Sequence, residues 1–139
     1  MSLSHKDTTA AAGRVLLAML FLLSGWAKLT APAATVSYIQ ASGLPLPSLD
    51  YLAALGVELG LASLLVIGLK TRLVATLMAV FTVATALVFH HALGDQGQFI
   101  NFFKNVAIAG GLLQIAAFGG GLLSVDNWAS RRRSPLLAH

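Results

Sequence analysis

Four apolar runs, each long enough to cross a lipid bilayer as a helix, leave this chain few ways to fold: Ala10 to Ala27, Tyr51 to Leu69, Leu73 to Phe89, and Phe102 to about Gly120. A hydrocarbon core about 30 Å thick takes about 20 helical residues, somewhat fewer where flanking side chains snorkel. Composition agrees, since 57% of the 139 residues are hydrophobic and 10% charged. Soluble domains run at roughly 45–50% apolar and 25% charged. The expected fold class is all-α, an integral membrane four-helix bundle with spans at about 10–28, 51–69, 72–91 and 101–120. A short interfacial helix is expected between the first two spans. Residues 1–9 then form a cytoplasmic tail, 10–127 the membrane domain and 128–139 a basic cytoplasmic tail.

An even number of spans puts both termini on one side, so the loops alternate and the basic residues indicate orientation. Lys6, Arg14, Lys70, Arg72, Arg131, Arg132 and Arg133 fall on the terminal side, and Lys28 and Lys104 on the other. The termini are therefore expected in the cytoplasm. The net charge of +4 does not imply nucleic acid, because the basic residues are not interleaved with aromatics on one surface. With no cysteine, disulfides, thiolate metal sites and iron–sulfur clusters built from this chain are excluded. The first run, followed by Ala31-Pro32-Ala33, resembles a signal peptide, but its length favours a retained helix.

Local signals refine the picture. Ser24 and Lys28 share a face at the end of span 1, beside Trp26 at the interface. Arg14 and Lys28 are expected to snorkel to opposite headgroup layers. Thr30 can cap a short helix with Pro32 in its first turn and Val36, Tyr38 and Ile39 along it, ended by Gly43-Leu44-Pro45. That helix reads as a lid over the bundle or as an aromatic-belt connection. Span 2 holds Glu58 roughly 10 Å below its start, where an acid is costly and calls for a reason. Gly56 and Gly60, four apart, offer a surface for close approach of another helix. Span 3 carries Thr82, Ala86 and His90 along one row, and span 4 carries Asn101, Lys104, Asn105 and Ile108 along one stripe. Gly119-Gly120-Gly121 reads as a flexible exit leading to Trp128 and a triple-Arg tail that grips anionic lipid.

Alternation brings the ends of all four spans to one level, so Lys28, Glu58, His90, Lys104 and Asn105 are the candidate ligand-binding residues, with Ser24, Tyr38, Asn101 and His91 as secondary candidates. Glu58 is expected to pair with Lys104 or Lys28. Two readings of this convergence stand: the groups fix helix order, or they line a pocket open to the outer leaflet. Carboxylate, imidazole and ammonium groups at a membrane edge suit a ligand with an apolar body and polar oxygens, and a quinone has that form. Of the histidines, His90 continues the inward row and His91 is left to meet water. No metal site is expected, because adjacent helical residues point about 100° apart. Phosphate-binding loops and hydrolase nucleophile motifs are absent, and no self-contained catalytic motif is seen.

The chain resembles the DoxX family of small four-span bacterial membrane proteins, particularly its YphA-like inner-membrane members. The stretches that carry the resemblance are Gly13-Arg14, Ser24-Gly25-Trp26-Ala27-Lys28-Leu29, Thr35-Val36-Ser37-Tyr38, Gly43-Leu44-Pro45, Glu58, Gly68-Leu69-Lys70-Thr71-Arg72, His90-His91, and Asn101-Phe102-Phe103-Lys104-Asn105 with Ile108-Ala109-Gly110. Together they cover about residues 10–127, departing at Gly119-Gly120-Gly121 from a Gly-Pro-Gly turn common in relatives. The resemblance implies a membrane bundle with quinone-linked or redox-complex associations, since relatives serve as a membrane subunit of a thiosulfate:quinone oxidoreductase or join oxidative-stress proteins. Three functions follow for comparison: a quinone-binding redox component, a non-catalytic scaffold that self-associates or holds a redox partner protein, and a small-molecule channel or transporter. The lipid bilayer is a partner under all three, and no covalently held cofactor is implied.

Overall fold

Each apolar run becomes a helix in the computed structural model, which describes residues 4–133. The tail residues on either side, His139 among them, lie outside the described residues. Helix α1 (His5–Thr30) opens on a capping box in which Ser4 Oγ accepts from the Asp7 N–H and the Asp7 carboxylate accepts from the Ser4 N–H at 3.0 Å. Helix α2 (Pro32–Ala41) is the short helix expected from the sequence, and Pro32 occupies its first turn. Helices α3 (Pro47–Ile67), α4 (Thr71–Phe89) and α5 (Gln96–Phe118) complete the bundle, and α6 (Val125–Arg133) follows it. The chain is all-α among its described residues, and α1, α3, α4 and α5 are long and apolar enough to cross a membrane.

Helices α1 and α5 outrun their apolar runs at the N-terminus, where the polar caps Ser4 and Asp95 extend them. Asp95 accepts the Gln98 N–H at 2.9 Å and starts α5 at Gln96, so Asn101, Lys104 and Asn105 sit on a helix, as their stripe in span 4 led one to expect. Packing is mediated by small residues: Ala18, Ala62, Ala75 and Ala109 are buried with Phe21, Leu65, Met78 and Leu112 in one core. Large apolar side chains face outward, Leu16 at 68%, Val80 at 64% and Phe118 at 79% exposure. An apolar exterior on this scale is stable only under lipid, and the protein is an integral membrane protein.

One expected close approach is absent and another replaces it. A Cβ placed on Gly56 or Gly60 would meet nothing within 4 Å, so no helix among the described residues uses that face. Residues Gly56–Leu61 instead form a π-helical turn within α3. The tight contact falls at Gly25, where a Cβ would lie 2.7 Å from Leu59 Cδ2 and 3.0 Å from Glu58 Cβ. Glycine there lets α1 and α3 close together directly beside Glu58.

The end of the bundle that holds both tails departs most from expectation. Arg14 does not snorkel: it is 4% exposed. Its guanidinium donates to the carbonyls of Gly120, Val66 (3.3 Å) and Leu123 (2.6 Å), and only Nε is left without an acceptor among the described residues. Nor is the triple-glycine segment a loose exit. Gly68, at φ +72°, turns the chain between α3 and α4, and a Cβ on Gly120 would come 2.6 Å from Thr71 Oγ1. Asp126 of α6 locks this turn, accepting from the Lys70 N–H, the Thr71 N–H and the Thr71 hydroxyl, each at 2.7 Å. Burial raises the Asp126 carboxyl, but the Thr71 and Lys70 donors and the charge of Arg14 outweigh it and hold it below the ordinary carboxylate range. These partners lie more than fifty residues apart in sequence, which is why helix periodicity does not reveal them.

Candidate functional site

At the end of the bundle away from the tails, the helices surround a cavity of about 700 Å³. Its floor follows from one contact, because Gly111 of α5 lies against Leu17 of α1, where a Cβ would be 3.2 Å from Leu17 Cδ1. Beyond that contact, Leu20, Phe21, Ser24 and Lys28 of α1 and Asn101, Lys104, Asn105 and Ile108 of α5 line the cavity instead of each other. Helix α2 contributes Tyr38 and Ile39, α4 contributes Phe81, Thr82 and Phe89, and His90 follows at its C-cap. The ring of Tyr38 stacks on Phe89 with centroids 5.4 Å apart, tying the short helix to α4 at the edge of the cavity.

Glu58, 5% exposed, supplies the buried charge. Its Oε1 accepts from Lys28 Nζ at 2.9 Å and from Ser24 Oγ at 3.2 Å, while Lys28 Nζ also meets Ser24 Oγ at 2.8 Å. The partner is therefore Lys28 and not Lys104. The i, i+4 spacing of Ser24 and Lys28 presents both to α3 at once, and Gly25 removes the side chain that would hold α3 away. Tyr51 steadies the end of α1 by donating to the Lys28 carbonyl at 3.3 Å. The second carboxylate oxygen, Oε2, is buried with no hydrogen-bond partner among the described residues.

The remaining candidates divide. His90 lines the cavity and its Nδ1 meets Gln98 Oε1 at 2.9 Å. Asn101, Lys104 and Asn105 line it from α5. His91 is exposed, and its Nδ1 lies 3.0 Å from the Val88 carbonyl, outside the lining. One lining acid escaped the sequence reading: Asp50, in the first turn of α3, borders the cavity and has a buried Oδ2 without a partner among the described residues. An acid in a first turn is ordinarily explained by the helix dipole, so nothing in the sequence singled it out.

Comparison with known proteins agrees with this architecture. The DoxX family model matches residues 9–91. Inner membrane protein YphA of Escherichia coli is 36% identical over 118 residues, covering 81% of this chain and 84% of the relative. Inner membrane protein YqjF of the same organism is 35% identical over 127 residues, covering 91% and 96%. No solved structure matches the chain. Four membrane-length helices, a family match over more than half of the length and relatives aligned nearly end to end lead to one conclusion: this chain belongs to the DoxX family.

Proposed function

We propose that the protein binds an amphipathic small molecule of the quinone type in the cavity between α1 and α5, as a quinone-linked or redox-complex component of the bacterial inner membrane. The tails then face the cytoplasm and the cavity faces the outer leaflet, in keeping with the distribution of Lys and Arg. The observation that carries this reading is the Lys28–Glu58 ion pair on the wall of a cavity whose other surfaces are largely apolar. An apolar body fits between Phe21, Phe81 and Ile108, while Lys104 and His90 can donate to a polar oxygen and Glu58 can accept a proton. Quinone chemistry would come from the bound molecule, and this chain's residues would hold its head and exclude water. Titrating purified protein with a short-tailed quinone analogue tests the reading. Saturable binding weakened by Lys104→Ala is expected; wild type that binds no analogue overturns it.

A scaffold role is the second reading, favoured by the open Gly56 and Gly60 face, against which no helix among the described residues packs. Crosslinking in membranes tests it, and recovery of neither a self-oligomer nor a partner would remove it.

A further inference from the structure

Two carboxylates border the cavity, and the ion pair accounts for only one of their oxygens. Glu58 Oε1 is shared by Lys28 and Ser24, whereas Glu58 Oε2 and Asp50 Oδ2 are both buried without a donor among the described residues. A carboxylate oxygen can only accept, so a ligand that also only accepts leaves both in deficit. The dione form of a quinone is such a ligand: it can take bonds from Lys104 or Asn105 on α5 but gives nothing back to α3. The dihydroxy form donates through each O–H and accepts through each oxygen, which matches an acid-bearing α3 wall facing an amine- and amide-bearing α5 wall. Asp50 and Glu58 lie eight residues apart on α3 and both line the cavity.

Resting on the quinone-type reading above, we propose that this cavity selects the reduced, hydroquinone form over the dione, with Glu58 as the deeper acceptor and Asp50 as a second specificity-determining acceptor nearer the start of α3. The polar groups of this chain then read the redox state of the ligand through its hydrogen-bond donors, and no electron need move for the distinction to be made.

The test is calorimetric titration of the full chain in lipid nanodiscs, under anaerobic conditions, with a decyl-substituted benzoquinone and separately with its hydroquinone. Hydroquinone is expected to bind about tenfold tighter or more, the worth of one hydrogen bond to a charged acceptor. Glu58→Gln, which places an amide where only acceptors stood, is expected to bring the ratio close to one. Because that change also removes the charge that balances Lys28, Asp50→Asn is the companion variant: it lies off the ion pair and is expected to narrow the ratio by about threefold. Equal affinity, or tighter binding of the dione, overturns the redox preference and leaves the quinone-type reading standing. Failure of both forms to bind removes that reading and the preference with it.

Discussion

At the tail end of the bundle Arg14 is engaged by the carbonyls of Val66, Gly120 and Leu123, and Asp126 by the N–H groups of Lys70 and Thr71. At the far end Glu58 meets, among the described residues, only the side chains of Lys28 and Ser24, and its other oxygen has no partner there beside a cavity. Both ends carry buried charge, which lipid-embedded helices ordinarily avoid. They differ in what completes the bonding. Main-chain partners exist only once the turns after α3 and α5 have formed, so the tail end stabilises one particular fold. Side-chain partners on the wall of an open cavity suit a molecule that comes and goes. Buried charge in such a bundle is thus no guide to function until its partners have been counted.

Substitutions can break this contrast or sharpen it. The largest effect is expected from Arg14→Met, which strips the donor from three carbonyls: a loss on the order of 3 kcal/mol or more, read as a lower Tm in nanodiscs. Gly120→Ala comes next, because its Cβ would press on Thr71 Oγ1 at 2.6 Å and Ser124 Cβ at 2.7 Å; a cost of about 1–3 kcal/mol is expected.

Asp126→Asn should cost about 1–2 kcal/mol at neutral pH and also change the acid limb of stability. The folded carboxyl is held below its ordinary range, so its contribution is fully present above about pH 4, the unfolded value, and is lost as pH falls through the lower folded one. Thermal melts from neutral to acid pH should therefore converge for wild type and Asp126→Asn at the acid end. Curves that stay parallel would show that the carboxylate is not what locks the turn.

At the far end Lys104→Ala is expected to move stability by no more than about 0.5 kcal/mol, yet to weaken binding of the quinone analogue by about tenfold. Smallest of all, His91→Ala should leave both readouts unchanged, since the ring is exposed and outside the cavity lining. A Lys104→Ala variant that melts early and binds normally would reverse the contrast.

What could be read in advance follows the range of the interactions. Four apolar runs announce four helices because helix hydrogen bonds and lipid contact are local matters, and Ser24, Lys28 and Glu58 were legible as one level because each lies a countable distance from a helix end. Arg14 was not, since an arginine near the start of a span looks like a topology signal and its acceptors lie 52, 106 and 109 residues away. Gly25 and Gly56 illustrate the same limit: both are glycines on apolar helices, but among the described residues only the first has a neighbour against it, and which face of a helix is occupied depends on the other helices. Asp50 stayed hidden because its ordinary place in a first turn masks an unpaired oxygen that only the packed bundle creates.

The division between a structural end and a binding end is most directly tested by native mass spectrometry of gently solubilised wild type, Lys104→Ala and Asp126→Asn, each paired with a thermal melt. A quinone-type molecule retained by wild type and by the less stable Asp126→Asn, but lost from the equally stable Lys104→Ala, is the expected result. No such molecule on wild type, or one lost with Asp126→Asn and kept by Lys104→Ala, would contradict it.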